Sequence, residues 1–576
     1  MKNFIVAQRL NEIASLMEFE GEPFFKIKAY ERAARSIEDS QTSVEDLVKS
    51  GELQELPGVG KAISQKVADI LDTGTCKYLD ELRAKFPPTI LELLSVPGIG
   101  AKTAVSLYRE LGVSGLDDLR KSIEDGSILK VPRLGPKTID NLKARLERLA
   151  STPKRMRLGD AWPIAQIVVK ALSALPFAKN VVVAGSLRRM ERSVRDLDVI
   201  CTSDAPEKVL EAFVALPIAE RVTAKGKTKA TIWALPGISI DCRVVAHECF
   251  GNLLQHFTGN KEHNVRLREF AQRKGLKVSE YGIEDDAGTI TTCEHETDVY
   301  ATLGLQFIPP EIRLGLDEID LARSGTLPVL VELSDIRGDL HDHTKWSDGV
   351  CTIEQLARAA AHRKREYLSI SDHSPGRAVA NGLSIDRLRE QIKIIDSVRD
   401  SYGVHLLASS EVDIRADGTL DLPDDVLAGL DIVVASIHSS FRATKEQQTA
   451  RLLAAIENPN VTIIGHPTGQ LIEEREGYEF DVDAVFRAAA RTGTALEINS
   501  NPARLDLSAD LARRAREIGC TFSIDTDAHH VEDMDNMLFG VATARKAGVT
   551  KESVLNTRPL DDVLDFVRKK RAALAR

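Results

Sequence analysis

The sequence predicts a multidomain chain: a helical N-terminal third, an α/β middle, and a distorted barrel of seven βα repeats at the C-terminus. Three observations predict it. The 576 residues are too many for one hydrophobic core. Residues 4–150 carry helical periodicity broken by short polar turns of the P-G-x-G kind. From residue 335 onward, a short apolar run ending in His, Asp or Glu, then a helical stretch, recurs seven times.

Bulk properties narrow the class. A hydrophobic content of 43% belongs to a globular chain, and no apolar run reaches the roughly 20 residues of a membrane span. The start, Met1 to Arg9, is soon interrupted by charge and lacks a signal-peptide core. Seven scattered cysteines without a C-x-x-C pair suit reduced thiols in the cytoplasm. The net charge of −10 is uneven. Residues 1–330 hold 45 Lys+Arg against 46 Asp+Glu, residues 331–576 hold 31 against 40, and residues 101–200 hold 19 against 11. A basic middle beside an acidic C-terminal third is open to polyanion binding or to solvated helix faces, and charge alone does not decide.

In the N-terminal third, three helix breaks resemble one another: Leu56-Pro57-Gly58-Val59-Gly60-Lys61, Val96-Pro97-Gly98-Ile99-Gly100-Ala101-Lys102, and the degraded Val131-Pro132-Arg133-Leu134-Gly135-Pro136-Lys137. Glycine permits positive φ and close backbone approach, so the amides opening the second helix can face a phosphate. Such helix-hairpin-helix turns hold a nucleic-acid backbone without reading its sequence. Gly58, Gly60, Gly98, Gly100 and Lys102 are the DNA-binding candidates. Lys66, one turn past Gly60, is a solvated lysine or, with a lowered pKa, a Schiff-base nucleophile.

The middle begins with a helix over 153–175 and a strand at 181–184. Gly185-Ser186-Leu187-Arg188-Arg189 follows, then Asp196-Leu197-Asp198 opening a second strand. Strand residues two apart share a face, so Asp196 and Asp198 point the same way. Paired carboxylates suit a hard divalent cation, while a Gly-Ser turn with two arginines suits an anion. Together they describe a site for a nucleoside triphosphate and its metals. Ile238 to Val245 alternates as a strand with Asp241 at its centre, a third carboxylate for a two-metal arrangement. Phe250-Gly251-Asn252-Leu253-Leu254-Gln255-His256-Phe257-Thr258-Gly259-Asn260 comes next, with Asn264 and Arg268 beyond.

In this order, residues 1–315 resemble a family X DNA polymerase, the group that includes DNA polymerase beta. The resemblance implies a nucleotidyltransferase palm in which Asp196, Asp198 and Asp241 hold Mg²⁺ or Mn²⁺, with Asp241 beside the primer terminus. It implies that Gly185, Ser186, Arg188 and Arg189 contact the triphosphate, that His256, Phe257 and Gly259 line the sugar and base pocket, that Asn264 reaches the base edge, and that Arg268 faces the template. Lys66 falls at the family's lyase nucleophile, and the hairpin turns can take K⁺ or Na⁺. Two departures stand out: His256 replaces the family's usual Tyr, and Ala62 occupies a commonly basic position of the lyase region.

The seven strand ends of the C-terminal third are Asp339 to His343, Ile370 to His373, Ser410-Glu411, Ser436 to His438, Ile463 to His466, Leu496 to Asn499, and Ile524 to His529. Between them lie helix-like segments at 352–365, 384–400, 445–456, 481–491 and 508–518. A barrel gathers its strand C-termini at one mouth, so these side chains converge. Mixed imidazole and carboxylate ligands suit Zn²⁺, Mn²⁺ or Fe²⁺. The set resembles the PHP (polymerase and histidinol phosphatase) domain. That resemblance implies nine ligands for up to three metals, His341, His343, Asp348, His373, Glu411, His438, His466, Asp527 and His529, and metal-assisted phosphoester hydrolysis.

The expected division is a lyase-like helical domain at 1–80, a second helix-hairpin-helix subdomain at 81–150, the palm at 151–247, a nascent-base-pair subdomain at 248–317, a linker at 318–334 and the PHP domain at 335–576. The expected protein is a monomeric, cytoplasmic, nucleoid-associated repair polymerase that fills short gaps, as in base excision repair, from dNTPs on gapped or primer-template DNA, with no membrane. Its PHP site would act as a 3′–5′ exonuclease, with AP-endonuclease or 3′-phosphatase activity as further options. Two alternatives stand beside it: chiefly a PHP phosphoesterase on a DNA-binding platform with weak polymerase activity, or a small-molecule phosphatase of the histidinol-phosphatase type.

Overall fold

The computed structural model describes residues 2–38, 44–87, 89–96, 99–131, 134–135, 138–140, 142–143, 146, 155–235, 237–377 and 380–574; Gly98 of the second hairpin and Pro132, Arg133, Pro136 and Lys137 of the third lie outside them. The chain divides into two compact units. One comprises Met1–Met156, Lys170–Leu175 and Glu207–Cys242, the other Arg157–Val169, Pro176–Pro206 and Arg243–Arg576.

The first unit is led by helices Lys2–Glu20, Phe24–Glu38, Lys61–Thr73, Lys77–Lys85, Ala101–Leu111 and Leu116–Glu124. Leu10, Ile13, Ala14 and Met17 on the first of these, and Ile63, Val67 and Ile70 on the third, fall three or four residues apart and share one core. Gly60 and Gly100 take extended backbone immediately before helices Lys61–Thr73 and Ala101–Leu111, and neither supplies a side-chain cap. The first amides of both helices therefore stay open to an acceptor from outside. Gly58 has φ +87°, and a Cβ there would lie 2.8 Å from the Ala33 amide nitrogen, so only glycine fits that turn. The unit also holds the hairpin of strands Ala219–Lys225 and Lys229–Ala234.

In the second unit, strand Lys179–Ala184 pairs antiparallel with Asp196–Thr202, setting Ala184 opposite Asp198. Helices Phe250–Thr258 and Lys261–Gln272, a small sheet of Lys277–Ser279, Gly282–Glu284 and Ile290–Thr291, and helix Glu296–Thr302 follow. The stretch 318–334, expected as a linker, contains helix Glu318–Ser324. Glu318 is buried there against His263 at 2.8 Å, and Leu330 and Val331 are buried too.

Seven parallel strands then run in chain order: Gly338–Asp342, Tyr367–Ile370, His405–Asp413, Ile432–Ser436, Ile463–Ile464, Ala495–Asn499 and Phe522–Asp525. They are buried on both faces almost throughout, as strands enclosed by helices must be. A parallel bridge, Asp342 to Ala528, links the first strand to the end of the last, with the His343 amide donating to the Ala528 carbonyl at 2.8 Å. The result is a nearly closed (βα)₇ barrel. Thr352, Ser384, Thr444, Asp481 and Ser508 each accept the amide three residues on and so start the helices at 353, 385, 445, 482 and 509. No described helix is long and apolar enough to cross a membrane.

Candidate catalytic sites

The nucleotide-type site is built on a turn that only glycine can make. Gly185 opens the one-turn helix Gly185–Arg188 directly after its strand. Its φ is +62°, and a Cβ there would lie 2.3 Å from Asp198 Oδ2. The turn thus lies against the D-x-D carboxylate. On strand Asp196–Thr202, Leu197 is buried while Asp196 and Asp198 are half-buried, as the shared face requires. Arg195 lies 3.3 Å from Asp196.

The two signature arginines are held differently. Arg188 donates twice to Glu296, at 2.9 and 2.7 Å, and once to Thr258 Oγ1 at 2.6 Å. Glu296 is also paired with Arg313 at 2.5 Å. Burial would raise the Glu296 carboxyl, but Arg313 and Arg188 outweigh it and hold the group below the usual carboxylate range. Arg189 is mostly buried, which lowers its pKa, and it donates to the Thr258 carbonyl.

His256 and Phe257 lie with their ring centroids 5.4 Å apart. His256 Nδ1 is 3.8 Å from Glu280, and burial lowers the imidazole pKa. Arg243 lies over the Phe257 ring at 4.3 Å. Asn264 donates to the His256 carbonyl at 2.7 Å and accepts from Gln255 at 2.9 Å, while Arg268 donates to the Asn264 carbonyl at 3.1 Å. Gly259 has φ +65° and faces Arg189.

In the first unit, Asp241 accepts from Thr231 at 2.7 Å and pairs with Lys229 at 2.5 Å. Its strand buries Ile238, Ile240, Cys242 and Val244, which leaves Asp241 on the less covered face. Lys66 lies over two aromatic rings, 5.1 Å from Tyr78 and 5.9 Å from Tyr30, and donates to Ala62 O at 3.2 Å. Lys102 is exposed near the start of its helix.

The barrel mouth brings all nine ligand candidates into one network. His343, Asp348, His373 and His529 form one group with ligand atoms within 4.8 Å; His341, His343 and Asp527 form a second; His373, Glu411 and His438 form a third. His466 Nε2 joins them through Glu411 at 2.9 Å. Burial alone would raise Glu411, but His438, His373 and His341 drive it well below the carboxylate range. Burial likewise opposes protonation of His373, yet Glu411 and Asp348 lift it to about 10. His343, buried and ringed by His529 and His373, falls to about 3. So dense a set of opposed charges is costly without cations to share. Buried ring nitrogens of His341, His343 and His466 have no hydrogen-bond partner, and nitrogens in that state fit divalent metal ions.

Two carboxylates outside the nine set the orientation of ligands. Glu497 accepts from His341 Nδ1 at 2.7 Å and also engages the His466 amide. Asp413 lies 2.5 Å from His438 Nδ1. Each leaves the opposite nitrogen of its histidine for a metal. Glu497 sits in a strand end already legible in the sequence, and Asp413 lies two residues past Glu411 on the same strand, which was the available signal.

Comparison with known proteins agrees with this geometry. The model for the DNA polymerase beta thumb matches residues 253–314, a helix-hairpin-helix domain matches 1–76, and a SAM-like helix-hairpin-helix tandem matches 90–148. The DNA polymerase/3′-5′ exonuclease PolX of Bacillus subtilis is 39% identical over 98% of this chain and 99% of its own. A probable phosphatase of Thermoanaerobacter sp. is 30% identical over 40% of this chain and 95% of its own. DNA polymerase lambda of Rattus norvegicus is 25% identical over 54% of this chain and 56% of its own.

Proposed function

The chain belongs to the family X DNA polymerases of the PolX type, and from that premise we propose how its residues divide the work of a DNA polymerase and 3′–5′ exonuclease. The observation that carries the reading is the pairing of two unlike sites in one chain: a D-x-D strand packed on a Gly-Ser turn, and a nine-residue histidine and carboxylate cluster at a barrel mouth.

For synthesis, Asp196, Asp198 and Asp241 are the assigned catalytic carboxylates. The all-oxygen set suits Mg²⁺ or Mn²⁺, which when bound would offset triphosphate charge and ease attack by the primer 3′-hydroxyl. The primer oxygen forms its bond to the α-phosphorus and pyrophosphate leaves. Ser186, the amides after Gly185, and Arg189 hold the triphosphate. Arg188 reaches it only by giving up a bond to Glu296, so its main work is to brace the turn. His256, Phe257 and Gly259 line the sugar and base, with Asn264 and Arg268 behind them. Gly58, Gly60, Gly100 and Lys102 grip the DNA backbone on either side of a short gap.

For degradation, the nine barrel residues bind Zn²⁺, Mn²⁺ or Fe²⁺, as their mixed nitrogen and oxygen donors favour, and the substrate is the 3′-terminal phosphodiester. The relative named a probable phosphatase aligns over 40% of the chain, which favours a phosphoester over other substrates. Replacing Asp198 and Glu411 by alanine, one at a time, tests the division. Each substitution should remove one activity and leave the other.

A further inference from the structure

Helix Met537–Lys546 leaves the last barrel strand and carries three contacts to the polymerase half of its unit. Phe539 meets Trp162 edge-on, ring centroids 6.4 Å apart. Arg545 pairs with Glu311 at 2.7 Å and donates to the Val331 carbonyl at 3.1 Å. Lys546 pairs with Glu191 at 2.6 Å.

The third contact lies next to the triphosphate turn. Glu191 donates its amide to the Ser186 carbonyl at 3.1 Å, so it is tied to the same turn as the Gly-Ser pair. One oxygen of its carboxylate faces Lys546, and the other lies 3.5 Å from Arg189 Nε. Arg189 continues the chain to the Thr258 carbonyl, beside Gly259 of the sugar pocket. Lys546 is only 9% exposed. A buried ammonium is costly unless a carboxylate meets it, and here the carboxylate belongs to the other half of the enzyme. A single carboxylate held between two cations cannot rotate wholly onto either of them.

We propose that Lys546, carried on the barrel, is a positioning residue for dNTP binding: it draws Glu191 to one side, so that Arg189 is steered by that carboxylate without being neutralised by it. The barrel then supports the polymerase site as well as housing its own. This rests on the assignment of Arg189 to the triphosphate. Without Lys546, Glu191 is free to close on Arg189 and compete with the nucleotide for its charge.

The test uses the full chain and measures single-nucleotide insertion and 3′-end removal separately. In Lys546→Met, KM for dNTP should rise about tenfold with kcat within about twofold, the pattern of lost ground-state binding, while 3′-end removal is unchanged. Lys546→Arg, which keeps the ion pair, should restore KM. If Lys546→Met leaves KM unchanged while Arg189→Ala raises it, the proposal is wrong. If Arg189→Ala also leaves KM unchanged, the assignment beneath it is wrong. Should Lys546→Met lose both activities, Glu191→Gln decides, since it removes the bridge from the other side. An altered KM with intact 3′-end removal supports the proposal, and an unaltered KM overturns it.

Discussion

Gly185 and Asp198 touch so closely that a single methyl group added to the glycine would fall 2.3 Å from the Asp198 carboxylate oxygen. The backbone at 185 also lies in the left-handed region, with φ +62°. The Gly-Ser turn and the D-x-D strand are therefore packed so closely that a side chain at 185 must displace Asp198. Gly185→Ala should cut primer extension by about a hundredfold, since catalytic groups displaced by about an ångström lose on that scale, and should leave 3′-end removal intact. Steady-state extension of a labelled primer measures the loss.

Glu497 is expected to control the metal content of the barrel. It fixes the ring of His341 from a position 156 residues away and takes the amide of His466 as well. Glu497→Gln keeps the shape but weakens both hold and charge. Metal affinity should fall by roughly 10- to 100-fold, as expected for loss of a group that orients a ligand, with exonuclease activity falling in parallel and polymerisation unaffected. Metal titration of chelator-stripped protein gives the affinity directly.

A buried lysine on the C-terminal helix should leave a pH signature. Lys570 is 4% exposed, donates to the Val461 carbonyl and to Thr494 Oγ1, and is pushed down by burial to about 7. The unfolded chain holds that proton up to the ordinary lysine pKa of about 10.4. Between the two values the unfolded state binds more protons, so stability from this group rises with pH. The penalty is full below about pH 7 and relieved as pH climbs toward about 10.4. Wild type should therefore gain thermal stability relative to Lys570→Met over that window. Melting curves of both proteins at matched pH values check it, and a constant difference would contradict it.

What the sequence made legible was local. The D-x-D pair, the Gly-Ser turn and the strand ends of the barrel are each written in fewer than fifteen consecutive residues, where side-chain periodicity assigns a face. The helical stretches of the barrel were legible for the same reason, and the structure shows caps such as Thr352 and Ser508 starting them. What stayed hidden were partners chosen by tertiary packing. Arg188 reads in sequence as a triphosphate ligand, yet the fold sets it on Glu296, 108 residues later. Glu318 reads as linker, yet it is buried on His263. Glu497 lies in a legible strand end and Asp413 two residues past Glu411, but their pairing with His341 and His438 is set by tertiary packing.

One chain is expected to build DNA at Asp196, Asp198 and Asp241 and to remove it at the barrel cluster. The most direct measurement is a gapped duplex with a 5′-labelled primer, incubated with Mn²⁺ with and without dNTPs, for wild type, Asp198→Ala and Glu411→Ala. Wild type should lengthen the primer with dNTPs and shorten it without them, Asp198→Ala should only shorten it, and Glu411→Ala should only lengthen it. Primer extension by Asp198→Ala, or 3′-end removal by Glu411→Ala, would show that the two activities do not lie at these two sites.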